Sequence, residues 1–315
     1  MADYNPIGGN NGTTTGGSTN EAQRDLFEKK MATDVLRYFM DTNIMKALIT
    51  TRTITQGKSE AFPVVGNTTA SSVANNAAEL EIKNIKTTER EIVIGDLTVA
   101  HAWLTDLDKA MAHYDSKSAQ AESIGRALAK KVDIDVLTKV IEAGAVVDSA
   151  SATAAGLLAF DDDIFTEEID ADFSTGAGVY AACVQAVAEE ADKDTVGESS
   201  FVFRQQLYYS LLNNPANTGL TWVNDPSAQS GKVPMLLGKK VYMSPHFPAL
   251  AGATIASGEY GGVLFSKEAV GCLELMGVST RVDYIPQRLS HLLVGKMAVG
   301  YGILNHGCAI NIKQV

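Results

Sequence analysis

The five histidines and three cysteines are the residues whose chemistry could most easily serve a metal site or a nucleophile. The histidines are His101, His113, His246, His291 and His306. No two of them are four positions apart, so the sequence contains no helical zinc pair. The cysteines are Cys183, Cys272 and Cys308, an odd number with wide separations. Because this spacing suits neither a disulfide framework nor a metal site, it predicts reduced thiols in a cytoplasmic setting.

Two acidic or mixed clusters also contain residue types that are used in catalysis and calcium binding. His113, Tyr114 and Asp115 are adjacent in sequence, and adjacent residues on a helix do not face each other. We therefore interpret Asp115 as a helix cap and His113 as a packed or surface side chain.

A second cluster comprises Asp161, Asp162, Asp163, Glu167, Glu168, Asp170 and Asp172. It lacks the alternating ligands and central glycine of a calcium loop, so it predicts a solvated acidic loop.

Two glycine motifs resemble nucleotide-binding loops but lack the context that those loops need. Gly176-x-Gly178-x-x-Ala181 follows acidic and polar residues, whereas a dinucleotide fingerprint requires a buried strand before it. A P-loop ending at Gly57-Lys58-Ser59 would need glycine at position 52, which is arginine. The sequence also has no Gly-x-Ser-x-Gly elbow. It therefore predicts no catalytic, metal-binding or cofactor-binding residues.

The stretch Thr50–Leu97 has the pattern of a long extended hairpin. Its outgoing strand, Thr50–Gly66, is rich in Thr, Ile, Val and Phe, and Pro63 restricts part of it to an edge or a strand end. In the return strand, Thr87–Leu97, side chains alternate: Arg90, Ile92 and Ile94 share one face, and Glu89, Glu91 and Val93 share the other. A polar connection as long as residues 67–79 is uncommon inside a compact domain. The alternative is two ordinary strands of a mixed sheet joined by a flexible loop.

A long helical region follows, from about Asp106 to Glu142. Thr105 with Asp108 is a capping signal, Asp115 with Ser116 can cap a second, longer helix, and Gly144 is a suitable stop. Helical spacing is kept by Ile124, Ala127, Leu128, Lys131, Ile134, Leu137 and Ile141. We expect this helix to pack on one side only, with Lys130, Lys131, Asp133 and Asp135 facing water.

The N-terminal region divides into a tail and a helix. Residues 1–20 are rich in Gly, Asn and Thr and lack apolar residues that could pack, so we expect a mobile tail. Ser18 and Glu21 form a capping box before a helix. One face of that helix carries Phe27, Met31, Val35, Tyr38 and Phe39. The pattern fits either an arm that reaches outward or an amphipathic core helix.

Composition and the remaining elements indicate a packed α+β protein with an acidic surface. The 315 residues are 45% hydrophobic and 20% charged, with a net charge of -11. Counterion-release binding to nucleic acid needs clustered Lys and Arg, which the sequence lacks. It also lacks a basic-apolar signal and an apolar run of membrane-spanning length, so we expect neither sequence-specific nucleic acid binding nor membrane association. Residues 200–215 predict a strand and a helix, 236–245 a short hairpin, and 279–312 alternating closing strands.

The order of these parts resembles the major capsid proteins of tailed bacteriophages, which have the HK97-like fold, and among them the short-tailed T7-like group. The stretches that carry the resemblance keep the family order: Leu26–Met45, Gly57–Gly66, Ala110–Asp115, Gly238–Pro248 and Val263–Gly271. The segment from Gly144 to about Asp172 matches nothing in that pattern.

The resemblance implies a domain plan for a shell subunit. It comprises an N-terminal arm (1–49), an extended loop (50–97), a peripheral domain with a spine helix (98–170), an inserted axial domain (171–277) and closing peripheral strands (278–315). Hexamers and pentamers of such a subunit would form an icosahedral virion shell around double-stranded DNA. The expected partners are copies of the chain, a scaffolding protein during assembly in the host cytoplasm, and a portal protein at one vertex. The alternative is a soluble α+β enzyme or binding module whose site is not recognised.

Residues that could join subunits are expected on the extended loop and on the arm. The charged candidates, which would set register, are Arg52, Lys58, Glu60, Lys83, Lys86, Glu89 and Arg90. Phe62 and Pro63 are the expected apolar anchors on a neighbouring copy. Phe27, Met31 and Val35 are the arm candidates. If Phe62 is such an anchor, its replacement by alanine should weaken subunit contacts with little loss of subunit stability.

Overall fold

The computed structural model describes residues 19–65, 87–111, 116–148, 167–193, 197–212, 235–248, 255 and 257–315. Within these ranges the helices are α1 Thr19–Thr42, α2 Asp106–Met111, α3 Ser116–Gly144, α4 Gly176–Asp192 and α5 Gln205–Leu212. Short 3-10 helices cover Met45–Leu48, Pro286–Arg288 and His306–Cys308. The strands are β1 Thr50–Thr53, β2 Ser59–Val65, β3 Thr87–Val93, β4 Thr98–Thr105, β5 Ile169–Ala171, β6 Ser199–Arg204, β7 Met235–Leu236, β8 Lys239–Ser244, β9 Tyr260–Ser266, β10 Val270–Ile285, β11 Ser290–Ile303 and β12 Ala309–Gln314.

A four-stranded sheet is built around the long hairpin of β10 and β11. Its strand order is β1-β10-β11-β4, with β1 parallel to β10 and the other pairs antiparallel. Pro286 opens the 3-10 turn between the two long strands. On β4 the residues from Val99 to Trp103 alternate between exposed and half-buried, as expected for a sheet with one covered face.

A six-stranded sheet forms the second layer, with the order β5-β12-β9-β6-β8-β7. Its central strands β6 and β9 are buried almost throughout, which fits their continuous apolar sequences. Helices α4 and α5 cover this sheet, where Phe201, Phe203 and Leu207 are buried in a second core cluster. The C-terminal strand β12 pairs with β9 and β5 in this sheet, although the resemblance places residues 278–315 among the closing strands of the other layer.

Helix α3 lies in the main core between α1 and the sheets. It has 29 residues, so it spans roughly 43 Å at the standard helical rise. Its buried positions include Leu128, Val132, Val136 and Val140, which join residues of α1 and of both sheets in one cluster. At its C-terminal end Asn311 Nδ2, from β12, donates a hydrogen bond of 2.9 Å to the carbonyl of Ile141.

The buried face of α3 differs from the expected stripe. Ala127 and Lys131 are exposed, whereas Ala129, Val132, Asp133 and Val136 are buried. The expectation that α3 packs on one side only is wrong, because α1 covers one side and β4 and β11 cover another. A helix between two layers buries more than one stripe, so an Ala-rich pattern allows several choices of buried face.

Two glycines permit the close approach of α3 to its neighbours. A Cβ atom at Gly295 of β11 would lie 2.6 Å from Ile124 Cγ2 of α3. A Cβ atom at Gly125 would lie 2.7 Å from the carbonyl oxygen of Val35 in α1. Real Cβ atoms do not tolerate such distances to backbone atoms, so α1 and α3 touch at a point that needs glycine.

We expect Gly125→Ala to lower the free energy of unfolding of the unassembled subunit by about 1–3 kcal/mol. Alanine is the better helix former, but its methyl group would force α1 away from α3. Urea unfolding followed by circular dichroism measures the effect. Gly95→Ala is the control, because a Cβ atom there meets no atom within 4 Å. A gain in stability for Gly125→Ala would contradict the described helix contact.

Several local predictions are confirmed. Thr105 Oγ1 accepts a 3.1 Å hydrogen bond from the Asp108 backbone N–H and donates a 2.6 Å bond to Asp108 Oδ2, as the capping signal predicts. Helix α3 ends at Gly144. Residues 199–212 form a strand followed by a helix, and β7 and β8 form the short hairpin. Residues 1–18 of the tail, His113, Asp115 and residues 161–166 of the acidic cluster lie outside the described residues, while Thr19 and Asn20 begin α1.

Candidate assembly site

Within the described residues the extended hairpin consists of β2 and β3, and its pairing starts at Ser59 and ends at Val93 rather than at the predicted Thr50 and Leu97. Seven residue pairs join the strands, from Ser59 with Val93 to Val65 with Thr87. The predicted outgoing strand is broken, because β1 leaves the hairpin and pairs in parallel with β10. In the described part of the chain β2 and β3 form a two-stranded sheet with no third strand.

The alternation predicted for the return strand is confirmed. Arg90, Ile92 and Ile94 are buried, whereas Glu89, Glu91 and Val93 are exposed. The Ile94 backbone N–H donates a 2.8 Å bond to the Lys58 carbonyl, which closes the root of the hairpin. One face of β3 thus lies on the chain's own β10 and β11, and the other face is open.

Phe62 is part of a small core within its own chain. It is only 3% exposed and belongs to a cluster with Ile92, Leu273, Ala298 and Leu304. The expectation that Phe62→Ala leaves subunit stability nearly unchanged does not fit this burial. An apolar residue on a polar hairpin suggests a contact with a neighbouring copy, but β10 and β11 of the same chain cover Phe62.

The charged candidates of the hairpin are placed in different environments. The Arg52 guanidinium lies 4.5 Å from the Phe62 ring centroid and 3.5 Å from Glu60 Oε1. Lys58 and Glu89 are exposed, as is Pro63. Arg90 is instead buried, and desolvation lowers its pKa. Lys83 and Lys86 lie outside the described residues.

Helix α1 contributes to the core of its own subunit. Met31 is 3% exposed and Val35 is fully buried, both in the main cluster with α3. Their side chains are therefore occupied within the chain, and the described part of α1 fits the core-helix alternative. The side chain of Phe27 lies outside the described residues.

Asp133 forms a buried joint that the sequence interpretation missed. It is fully buried on α3, although we expected it to face water. Its Oδ1 accepts hydrogen bonds from Asn43 Nδ2 at 3.0 Å, Met45 N at 3.2 Å and Ile44 N at 3.3 Å. Its Oδ2 lies 2.9 Å from His246 Nδ1, beyond the end of β8. One carboxylate thus links the end of α1, the middle of α3 and the six-stranded sheet.

The burial, the pKa and the hydrogen bonds of the Asp133 carboxylate indicate that it has a structural role. Burial raises the pKa of Asp133, and the hydrogen bonds from His246 and Met45 partly oppose that rise. A buried carboxylate with four donors is stable only while those donors remain in place. The position of Asp133 in the sequence could have predicted its burial. It is four residues from both Ala129 and Leu137, which are buried on the same face of α3.

The other titratable groups also indicate structural roles. All three cysteines are buried, and burial raises the pKa of Cys183 to about 12 and that of Cys272 to about 11. These thiols are therefore poor nucleophiles at neutral pH. Within the described ranges, His, Cys, Asp and Glu side chains form no group of three or more suited to a metal ion. Of the helices described, none has the length and apolar character needed to cross a membrane.

Comparison with known proteins gives a consistent result. The family model of the Gp10A-like major capsid proteins matches residues 61–313. The major capsid protein of Escherichia phage T7 is 25% identical over 313 residues, covering 88% of this chain and 88% of the relative. The capsid structure of cyanophage P-SCSP1u matches with a TM-score of 0.65 at 24% identity, over 87% of this chain and 88% of that chain. The mature capsid of bacteriophage PhiM1 matches with a TM-score of 0.66 at 15% identity, over 87% of both chains.

The structural matches establish the HK97-like α+β capsid fold, in agreement with the two sheets and the long helix α3. The family model covers most of the sequence, from the extended hairpin to the C-terminal strand. The chain belongs to the Gp10A-like major capsid protein family and is a structural subunit that self-associates into a bacteriophage capsid shell.

Proposed function

We propose that this subunit forms the hexamers and pentamers of an icosahedral shell that encloses double-stranded DNA. The β2–β3 hairpin is the element that reaches a neighbouring subunit. The observation that carries this proposal is the contrast between its two ends. Its root is fixed on β10 and β11 by Phe62, Ile92 and Ile94, while among the described residues no third strand pairs with β2 or β3. A two-stranded ribbon is marginal in water without a covering layer.

The exposed features of the hairpin suit many modest contacts. Lys58, Pro63 and Glu89 are exposed, and the Arg52–Glu60 pair is partly exposed. Exposed charge pairs contribute more to register than to affinity. Weak contacts allow wrongly placed subunits to dissociate during shell growth.

The two sheets supply candidates for the two domains. We assign the four-stranded sheet with α3 to the peripheral domain and the six-stranded sheet to the axial domain, with β12 returning to the axial sheet. A scaffolding protein during assembly in the host cytoplasm and a portal protein at one vertex are the further partners, on the strength of family membership. The net charge of -11 also suits a wall that must not retain the genome. The proposed role is structural and not enzymatic.

Electron microscopy of the purified protein tests the proposal. The chain is expressed alone and together with the scaffolding and portal proteins of the same genome. We expect closed shells, tubes or capsomer rings under at least one of these conditions. A uniform small particle under every condition would contradict an icosahedral shell role.

We expect residues 66–86, which join β2 to β3, to be required for assembly and dispensable for folding. Replacing residues 66–86 by Asn-Gly joins Val65 and Thr87 through a two-residue turn that matches their pairing. The subunit should keep its circular dichroism spectrum and its urea midpoint, because the root contacts remain. It should sediment as monomers or capsomers, with shell yield reduced at least about tenfold since the joint is lost. Shells of normal yield and shape from this variant would exclude a docking role for the removed segment.

A further inference from the structure

The β2–β3 hairpin lies on small residues at one face of the four-stranded sheet. In β11 Met297, Val299 and Tyr301 pack with the main core. Because side chains alternate along a strand, the residues between and beyond them face the other way. Those residues are small, and so is the residue of β10 that pairs with the last of them. We call this set the hairpin floor: Gly271, Ala298, Gly300 and Gly302.

The floor consists mainly of glycine because the hairpin lies too close for larger residues. A Cβ atom at Gly300 would lie 2.6 Å from the Val93 carbonyl oxygen and 3.0 Å from Ile94 Cα. At each of the other two glycines of the floor, a Cβ atom would lie 2.8 Å from the side chain of Ile92. Glycine in a strand interior lowers stability relative to alanine, and it often marks a close approach of another backbone. The three glycines therefore allow the hairpin to lie directly on the sheet.

The chain connections of the hairpin do not fix its direction. The segment before β2 contains Gly57, whose φ of 110° is a value that other residues rarely adopt. The segment after β3 contains Gly95, where a Cβ atom would meet no atom within 4 Å. Glycine backbone rotates over a wide range, so neither segment imposes an angle. Among the described strands no ladder joins β2 or β3 to β10 or β11, so the direction of the hairpin depends on its contact with the floor.

We infer that the hairpin floor positions the hairpin, with Gly271, Gly300 and Gly302 setting its height and its angle above the sheet. This inference rests on the proposed role of the hairpin in assembly and assigns the residues that direct it. Each strand of the hairpin has seven residues, so the described ribbon is roughly 20 Å long. A change of height at its root therefore produces a larger displacement at its far end. Since every subunit of a shell repeats the same joint, a small change of this angle alters the curvature of the shell.

Gly300→Ala tests the inference in the unassembled subunit. The added methyl group would lie roughly 1 Å closer to the Val93 carbonyl than van der Waals contact allows, so the hairpin must rise. Spin labels on Glu89→Cys in β3 and Val99→Cys in β4 report the distance between hairpin and sheet by pulsed electron paramagnetic resonance. Both positions are exposed, and the chain's own cysteines are buried. We expect the mean distance to change by at least about 2 Å, because the ribbon enlarges the displacement of its root.

Two further variants make this measurement specific. Gly295→Ala is the matched control, because Gly295 is on the opposite face of β11, where its Cβ atom would lie 2.6 Å from Ile124 of α3. It should lower the urea midpoint and leave the label distance unchanged. Gly302→Ala places its methyl group against the Ile92 side chain rather than against backbone. It should change the distance in the same direction by a smaller amount, and it decides the test if Gly300→Ala does not fold.

Assembly of the floor variants shows whether the angle of the hairpin matters to the shell. The full-length chains are compared by sedimentation and electron microscopy. Closed shells of the wild-type diameter should fall at least about tenfold in Gly300→Ala, because the contacts beyond the root are displaced. Shells of another diameter, tubes or free capsomers should take their place.

Three results would overturn the inference: an unchanged label distance in the floor variants, the same change in Gly295→Ala, or wild-type shells from a variant whose distance has changed. If the wild-type chain itself makes no shells, the proposed function fails instead, whereas the label distances in unassembled subunits still decide whether the floor sets the angle.

Discussion

Asp133→Ala is expected to lower the free energy of unfolding of the unassembled subunit by about 3–5 kcal/mol, the usual cost of removing one partner from a buried charged contact. The change leaves the N–H groups of Ile44 and Met45, the Asn43 amide and His246 without their shared acceptor. Each buried donor that loses its acceptor carries its own desolvation cost. Urea unfolding of unassembled subunits measures the loss.

Two further variants show whether the effect belongs to the buried joint. Asp135→Ala is the matched control, because Asp135 is two residues away, is partly exposed and pairs with Lys131 at 2.7 Å. Its loss should cost less than about 1 kcal/mol. Asp133→Asn keeps an oxygen for the three donors in the segment after α1 and should cost about 1–2 kcal/mol through the weaker His246 contact. Equal effects of Asp133→Ala and Asp135→Ala would contradict the described joint.

Phe62→Ala is expected to lower the free energy of unfolding by about 3–5 kcal/mol, the range found for buried aromatic side chains. The side chain is 3% exposed, and its removal leaves a cavity between Ile92, Leu273 and Leu304. It also removes the ring beneath the Arg52 guanidinium. Urea unfolding of the unassembled subunit measures this loss, and assembly is expected to suffer indirectly because the hairpin root loosens.

Val93→Ala is the control for this prediction. Val93 is on the same hairpin but 50% exposed on its outer face, so its change should cost less than about 1 kcal/mol. A small loss of stability for Phe62→Ala together with failed assembly would support the original expectation that Phe62 anchors a neighbouring copy. The two measurements thus separate a residue of the subunit core from one of the subunit interface.

The joint at Asp133 and the root at Phe62 have related consequences for a shell subunit. The first connects α1, α3 and the six-stranded sheet through one carboxylate, and the second fixes the hairpin on the four-stranded sheet. Both concentrate stability at points where separate parts of the chain meet. A subunit held in this way can present its hairpin in a defined geometry.

Local features of this protein were determined by the sequence. The alternation from Glu89 to Ile94 assigns every side chain of β3 to its face, because strand geometry has a period of two. The Thr105–Asp108 cap depends only on neighbouring residues, and a local glycine signal indicated the stop at Gly144. The order of these elements was also sufficient to indicate the capsid family, which the family model confirms.

Long-range pairing was decided by the tertiary structure. β1 leaves the predicted hairpin to pair with β10, more than two hundred residues later, and β12 joins the six-stranded sheet. Asp133 is buried because α1 and the segment after β8 cover the face of α3 that carries it. Periodicity shows that a face is apolar but not what will cover it, and covering depends on surfaces from distant parts of the chain. The sequence therefore determined the elements and the family, whereas only the packing decided which polar residue became a buried joint and which apolar residue stayed exposed.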